Sequence, residues 1–257
     1  MDPRAESFLK LLKIMDELRE QCPWDKKQTI ESIRHLTIEE TFELSDAILK
    51  GDLNDVKKEL GDLLLHIVFY ARIASETQTF TIKEVIDSLC DKLIYRHPHI
   101  YGDVKVQNEE DVKQNWEQLK QKEKGGNKTV LSGVPNSMPA LLKAYRIQEK
   151  ARSVGFDWEQ PEQVYEKVKE ELQEFEAEVK TKNQHEIEKE FGDVLFSLIN
   201  YARFLNINPE DALELTNKKF IQRFNYMEQK VKEQNKQISD CKLDELDNYW
   251  NEAKSIK

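Results

Sequence analysis

The 257-residue sequence predicts an all-α protein built from two tandem copies of one helical unit. Three observations carry that fold class. Apolar residues recur at helical spacing along almost the whole chain, and no segment alternates like a half-buried strand. Helix start signals are frequent. A block of acidic, glycine and aromatic residues returns after a constant offset of 131 positions.

The first helix is expected over 5–20, where Phe8, Leu11, Leu12, Met15 and Leu18 form a stripe. Lys10, Lys13 and Asp16 interrupt that stripe, which excludes a signal peptide. Helices over 37–50 and 54–75 follow, the first opened by T-I-E-E at Thr37, a capping box that would employ Glu40. The short connection L-K-G-D-L-N-D-V makes these two an antiparallel hairpin. T-I-K-E at Thr81 is a second capping box and opens a helix over 81–96, with another over 109–122. In the second half, helices are expected over 137–152, 161–181 from Pro161, 185–206, 209–233 and 243–254. Asn208 followed by Pro209 supplies an N-cap with proline at the first helical position. The one break in composition is rich in Gly, Ser, Asn and Pro. It divides the chain into a first repeat at 1–121, a linker at 122–136 and a second repeat at 137–257.

Composition removes several classes of function. A formal charge of −10 and a pI near 5.2 disfavour nucleic acid and anionic membranes as partners. No run is long enough to span a bilayer. Three scattered cysteines, Cys22, Cys90 and Cys241, fit a reducing, cytoplasmic setting and make no zinc motif.

The chemistry sits in the repeat. Glu39-Glu40, Glu43, Glu59, Gly61, Asp62 and Tyr70-Ala-Arg72 return as Glu170-Glu171, Glu174, Glu190, Gly192, Asp193 and Tyr201-Ala-Arg203. Residues three apart share a helical face, so Glu40, Glu43, Glu59 and Asp62 can converge within a hairpin. Glu171, Glu174, Glu190 and Asp193 can do the same. Four facing carboxylates repel one another unless a hard cation joins them, and an all-oxygen donor set suits Mg²⁺ or Mn²⁺. His66 is replaced by Ser197 in the second copy, so shared chemistry cannot need it. Acids also gather in first helical turns without any metal. Two comparisons favour the metal. Val168 replaces Thr37 while Glu171 persists, and only 11 of the 37 positions from Ile38 to Ala74 match their counterparts, five of them motif acids. Gly61 and Gly192, mid-helix, imply either close helix contact or room for a ligand.

Lys92 and Arg96, and likewise Lys219 and Arg223, place two cations on one helical face, a pattern suited to phosphate oxygens or to a solvated surface. Trp116 and Trp250 can stack on a base or pack. His97 and His99 have no counterpart and read as local structure.

With C-P-W-D-K-K-Q-T, E-E-T-F-E, E-L-G-D and R-H-P-H in the first half, and G-F-D-W, E-E-L-Q-E, E-F-G-D, K-F-I-Q-R and Trp250 in the second, the chain resembles the MazG family in its two-repeat form. The resemblance implies helical bundles formed on homodimerisation. It also implies Mg²⁺-dependent hydrolysis of NTPs and dNTPs, ATP included, to monophosphate and pyrophosphate. It makes the second repeat the main catalytic unit, with Glu171, Glu174, Glu190 and Asp193 on Mg²⁺ and Lys167, Lys219, Arg223 and Trp250 on the nucleotide. Glu171 or Glu174 would act as general base. Glu186 departs from the family pattern, where some members carry a lysine near the triphosphate. The competing expectations are a non-catalytic scaffold or nucleotide sensor, and a narrow house-cleaning enzyme for modified dNTPs.

Overall fold

The computed structural model describes residues 2–108, 111–112, 115–116, 119–120 and 129–255. Among them are ten α-helices and two short 3₁₀ turns, with no strand. They are α1 (Pro3–Gln21), α2 (Ile30–Lys50), α3 (Leu53–Glu76), α4 (Ile82–Arg96), α5 (Pro98–Tyr101), α6 (Ala140–Arg152), α7 (Pro161–Thr181), α8 (Gln184–Phe204), α9 (Pro209–Glu233) and α10 (Leu243–Ser255). The chain divides into two compact units, Met1–Leu119 and Lys120–Lys257. The helix expected over 109–122 and the first part of the linker, through residue 128, fall largely outside the described residues. No described helix is long and apolar enough to cross a membrane.

In the first unit, α2 and α3 are joined by Gly51 and Asp52 alone. Gly51 ends α2 with φ +73°, a left-handed conformation that glycine adopts without cost, and the Asp52 carboxylate caps α3. The pairing is antiparallel. Thr37 meets Tyr70 (Oγ1 to Oη, 2.7 Å) far from the turn, while Glu43 faces Glu59 nearer to it. Met15 of α1, Ile33 of α2, and Val68 and Phe69 of α3 form the buried core, with Phe8, Leu11 and Leu12 packed around it as the stripe predicts.

One expectation is corrected here. Helix α2 begins seven residues before Thr37, capped by Thr29, whose hydroxyl and the Ser32 hydroxyl satisfy each other's backbone N–H groups. Thr37 is an interior residue whose hydroxyl donates to the Ile33 carbonyl. The T-I-E-E pattern therefore caps nothing, and Glu40 is not a capping acid. The box at Thr81 and the N-cap at Asn208 do cap their helices.

The second unit repeats the hairpin as α7 and α8. Lys182, in the left-handed region at φ +62°, occupies the place of Gly51. Ring pairs Tyr165–Tyr201 (5.3 Å) and Phe175–Phe191 (5.6 Å) hold the two helices antiparallel. Arg203 is buried and its guanidinium grips the Asp157 carboxylate through both terminal nitrogens, which ties α8 to the loop after α6. The equivalent Arg72 instead reaches Asp16 (2.7 Å) and Glu76 (3.0 Å) at a more exposed site.

Candidate metal and substrate site

Each hairpin brings three carboxylates together. Glu40 and Glu43 lie one turn apart on α2, and Glu59 faces them from the first turns of α3. One oxygen of each lies within 4.8 Å of the other two. Glu171 and Glu174 on α7 and Glu190 on α8 repeat that geometry within the same limit. Asp62 and Asp193 stand outside these groupings, but their charges act on Glu40 and Glu190 respectively.

Burial and repulsion leave marks on both clusters. Desolvation, then the charges of Asp62, Glu43, Glu59 and Glu39, push the Glu40 carboxyl above its ordinary 4.5. Desolvation, then Glu174, Asp193, Glu171 and Glu178, push Glu190 the same way. Glu59 is only 5% exposed. One of its oxygens accepts from Lys58 at 2.9 Å, and the other is buried without a hydrogen-bond partner among the described residues. A buried carboxylate oxygen left unpaired is costly. Three convergent hard oxygen donors with one of them unsatisfied fit a divalent cation of the Mg²⁺ or Mn²⁺ kind.

The two clusters differ in their cations. Lys167 lies one turn before Glu171 and bridges Glu171 (2.8 Å) and Glu170 (3.1 Å), and the hydrogen bond to Glu171 is the main force raising its pKa. Its counterpart in the first repeat is Leu36, packed against the core. Lys189 pairs with Glu186 at 2.8 Å, so the departure at Glu186 brings its own counter-charge. His66 is buried, which pushes its imidazole pKa down against the pull of Asp62, and its Nδ1 has no hydrogen-bond partner among the described residues.

Lys219 and Arg223 lie on α9. Arg223 sits over the Trp250 ring of α10 at 5.9 Å, and Phe220 packs on the same ring at 5.0 Å. In the first unit Lys92 is exposed and Arg96 half-buried in the last turns of α4, and Trp116 lies 6.2 Å from the His97 ring. Around Gly61 and Gly192 an added Cβ would meet nothing beyond its own helix backbone within 4 Å among the described residues. Close helix contact among the described residues is therefore not their reason. The expectation narrows to room for something outside the helix pair.

Sequence reasoning overlooked a cavity of about 560 Å³ in the second unit, lined by Phe156, Trp158, Phe196, Gln148, Asn200 and Arg203 among others. Its signal was present at the same 131-residue offset. Asn200 stands where the first copy has Phe69, which is buried in the core 6.5 Å from the Trp24 ring.

The family description "MazG nucleotide pyrophosphohydrolase domain" matches this chain twice, at residues 28–101 and 159–227. The nucleoside triphosphate pyrophosphohydrolase/pyrophosphatase MazG of Thermotoga maritima is 46% identical over 250 residues, spanning 96% of this chain and 95% of that protein. The nucleoside triphosphate pyrophosphohydrolase of Escherichia coli K12 is 39% identical over 252 residues, spanning 95% of this chain and 96% of that one. Among solved structures, a MazG-related protein from Thermotoga maritima aligns with a TM-score of 0.39 at 26% identity, over 44% of this chain and 97% of that one.

Proposed function

Because the chain belongs to the MazG nucleotide pyrophosphohydrolase family and is an enzyme that releases pyrophosphate from nucleoside triphosphates, we propose that its second repeat carries Mg²⁺-dependent cleavage of the α–β phosphoanhydride. The observation that carries this reading is the convergence of Glu171, Glu174 and Glu190 beside Lys167. Glu171, Glu174, Glu190 and Asp193 would hold the cation. Bound there, Mg²⁺ supplies charge neutralisation to the triphosphate and lowers the cost of bringing it into an acidic cleft.

The chain's own residues do the rest. Lys167 is already poised over the carboxylates and can turn to a phosphate oxygen. Arg223 and Lys219 would meet the departing pyrophosphate and offset its growing charge, with Trp250 contacting the nucleotide beside them. Glu174 is exposed and free of Lys167, so it is the better placed of the two candidate bases to take a proton from the attacking water. Water oxygen bonds to the α-phosphorus, the bridging oxygen leaves with the β- and γ-phosphates, and the products are a monophosphate and pyrophosphate. In the first repeat Glu40, Glu43, Glu59 and Asp62 form a parallel cation site, with Lys92 and Arg96 as its basic companions and Leu36 in place of Lys167.

A homodimer belongs to the same reading. Leu60, Leu64 and Ile67 form an exposed apolar stripe on α3, and Phe191, Leu195 and Leu198 repeat it on α8. Stripes at this spacing call for a facing helix. Three free cysteines favour the cytoplasm.

The test is hydrolysis of a dNTP with Mg²⁺ in ¹⁸O-water. Label in the monophosphate is expected. Label in orthophosphate refutes the bond assignment, and label in pyrophosphate refutes attack at the α-phosphorus. Comparing Glu59→Gln with Glu190→Gln assigns the repeat: loss confined to Glu190→Gln is expected, and equal losses refute the preference. A nucleotide panel separates broad specificity from a narrow house-cleaning role.

A further inference from the structure

The two clusters share their acids and differ in which lysine sits on them. In the second repeat Lys167, on α7 one turn before Glu171, bridges Glu171 at 2.8 Å and Glu170 at 3.1 Å. The Glu171 side chain is 10% exposed, and one of its oxygens converges with those of Glu174 and Glu190. Lys167 therefore occupies a carboxylate that a divalent cation would need. The counterpart position in the first repeat is Leu36, which packs against the core and brings the cluster no charge. The lysine on the first cluster comes from the other helix. Lys58 reaches one oxygen of Glu59 at 2.9 Å, from a side chain that is 66% exposed. Its equivalent in the second repeat, Lys189, instead bonds both oxygens of Glu186 at 2.8 and 3.0 Å.

These contacts oppose a cation to different degrees. An ion pair as solvated as that of Lys58 holds weakly. The second Glu59 oxygen is buried and has no hydrogen-bond partner among the described residues, so a divalent cation there supplies a partner that the fold leaves out. In the second repeat a cation has to displace an ammonium that holds two carboxylates, one of them nearly buried, through charge-assisted hydrogen bonds. Phosphate changes that balance. Its oxygens offer Lys167 another anion, and an ammonium drawn to them releases Glu171 to the cation. Phosphate and cation then each favour the binding of the other, by the same factor.

From this contrast we infer that Lys167 is a positioning residue that sets when the second repeat takes up its cation. The ammonium holds Glu171 until phosphate draws it off, so nucleotide and metal load together. The first repeat, with leucine at the equivalent place, takes up a divalent cation without nucleotide. The inference rests on the metal reading of the two clusters. It gives the repeats different cation affinities in spite of their identical acids.

The test is Mn²⁺ titration of the full-length protein without nucleotide, followed by calorimetry and by the paramagnetic resonance of the free ion. Two classes of site about tenfold apart in Kd are expected, a factor that corresponds to about 1.4 kcal/mol. Glu59→Gln should remove the tighter class and Glu190→Gln the weaker one. Lys167→Met should strengthen the weaker class about tenfold and bring the two together. Lys167→Ala, which suits a helix interior, serves should methionine disturb folding. A deoxynucleoside monophosphate, itself a weak chelator, should tighten the second-repeat site in the parent protein and have no such effect in either Lys167 variant. A lysine that only stabilised α7 would move the unfolding temperature and none of these affinities. Unchanged Mn²⁺ affinity of the second repeat in both variants would overturn the inference. So would a tighter class that maps to Glu190, or a monophosphate effect that is absent from the parent or persists without Lys167. Absence of Mn²⁺ binding in both repeats would refute the metal reading itself, and the inference with it.

Discussion

Replacing Gly192 with alanine separates stability from function at one atom's cost. A glycine inside a helix is less favourable than alanine by about 1 kcal/mol, because its backbone loses more freedom on folding. Among the described residues nothing offsets that gain, since a Cβ at this position meets nothing beyond its own helix backbone within 4 Å. The second unit should therefore gain about 1 kcal/mol, or about 3 °C in Tm for a domain of its size. Gly61→Ala should give the first unit the same gain for the same reason. Function should split the pair. Gly192 lies between Glu190 and Asp193, so the added methyl group enters space that a bound triphosphate or a second protomer would use. A displacement of an ångström at a reacting group costs up to about 100-fold, so kcat/KM should fall at least tenfold in Gly192→Ala and stay within about twofold in Gly61→Ala. The checks are calorimetric unfolding, sedimentation and pyrophosphate release on the same samples. Stabilisation with unchanged kcat/KM and unchanged association in Gly192→Ala would refute the claim that the glycine keeps room for a ligand or partner. Destabilisation would refute the reading of its surroundings as open.

Three further outcomes are expected. Arg203→Met should destabilise the second unit by about 3 kcal/mol, because it removes both guanidinium hydrogen bonds to Asp157 and leaves that carboxylate the longer Arg152 ion pair at 3.8 Å, whereas Arg72→Met at its more exposed site should cost about 1 kcal/mol; urea unfolding followed unit by unit decides. Lys182→Gly should stabilise by about 0.5 kcal/mol, since a lysine at φ +62° bears a left-handed penalty that exceeds glycine's extra freedom in the unfolded chain. For pH, Glu40 and Glu190 are acids whose folded pKa lies above the unfolded 4.5, so protonation favours the fold. Their contribution is present below 4.5 and is lost as pH rises through the raised values. Urea midpoints in EDTA should fall over that window, and Mg²⁺ should remove the fall; a flat profile in EDTA would count against mutual repulsion in the clusters.

The helices and both acidic clusters were legible because their signals are local or duplicated. Apolar spacing marked the buried faces of α1 and α3. The 131-residue offset paired each acid with its counterpart before any geometry was known. The misreading at Thr37 has a physical cause. A Thr followed three residues later by Glu has the composition of a cap, yet a mid-helix threonine can satisfy its hydroxyl on the carbonyl four residues back, as Thr37 does with Ile33. The true cap, Thr29 with Ser32, uses a serine where glutamate is the common partner, so its signal was weak. Burial of Glu59 and the grip of Lys167 on Glu171 depend on side-chain paths across a hairpin, which spacing alone does not specify.

The differences between the copies say more about division of labour than their identities do. Identical acids allow both hairpins to gather a cation, so acids alone cannot explain why one repeat should turn over substrate. Two substitutions set the copies apart. Leu36 to Lys167 exchanges a core contact for a cation at the cluster, and Phe69 to Asn200 exchanges a core plug for a cavity. Each change takes apolar packing from the second unit and leaves a polar group in its place. Core packing lost in this way weakens a fold by several kcal/mol per large side chain. A repeat under no demand to bind substrate would be expected to retain it, as the first unit does with Phe69 and Leu36. On that reasoning the first repeat is the more stable half, and unfolding of the full chain in EDTA should begin in the second.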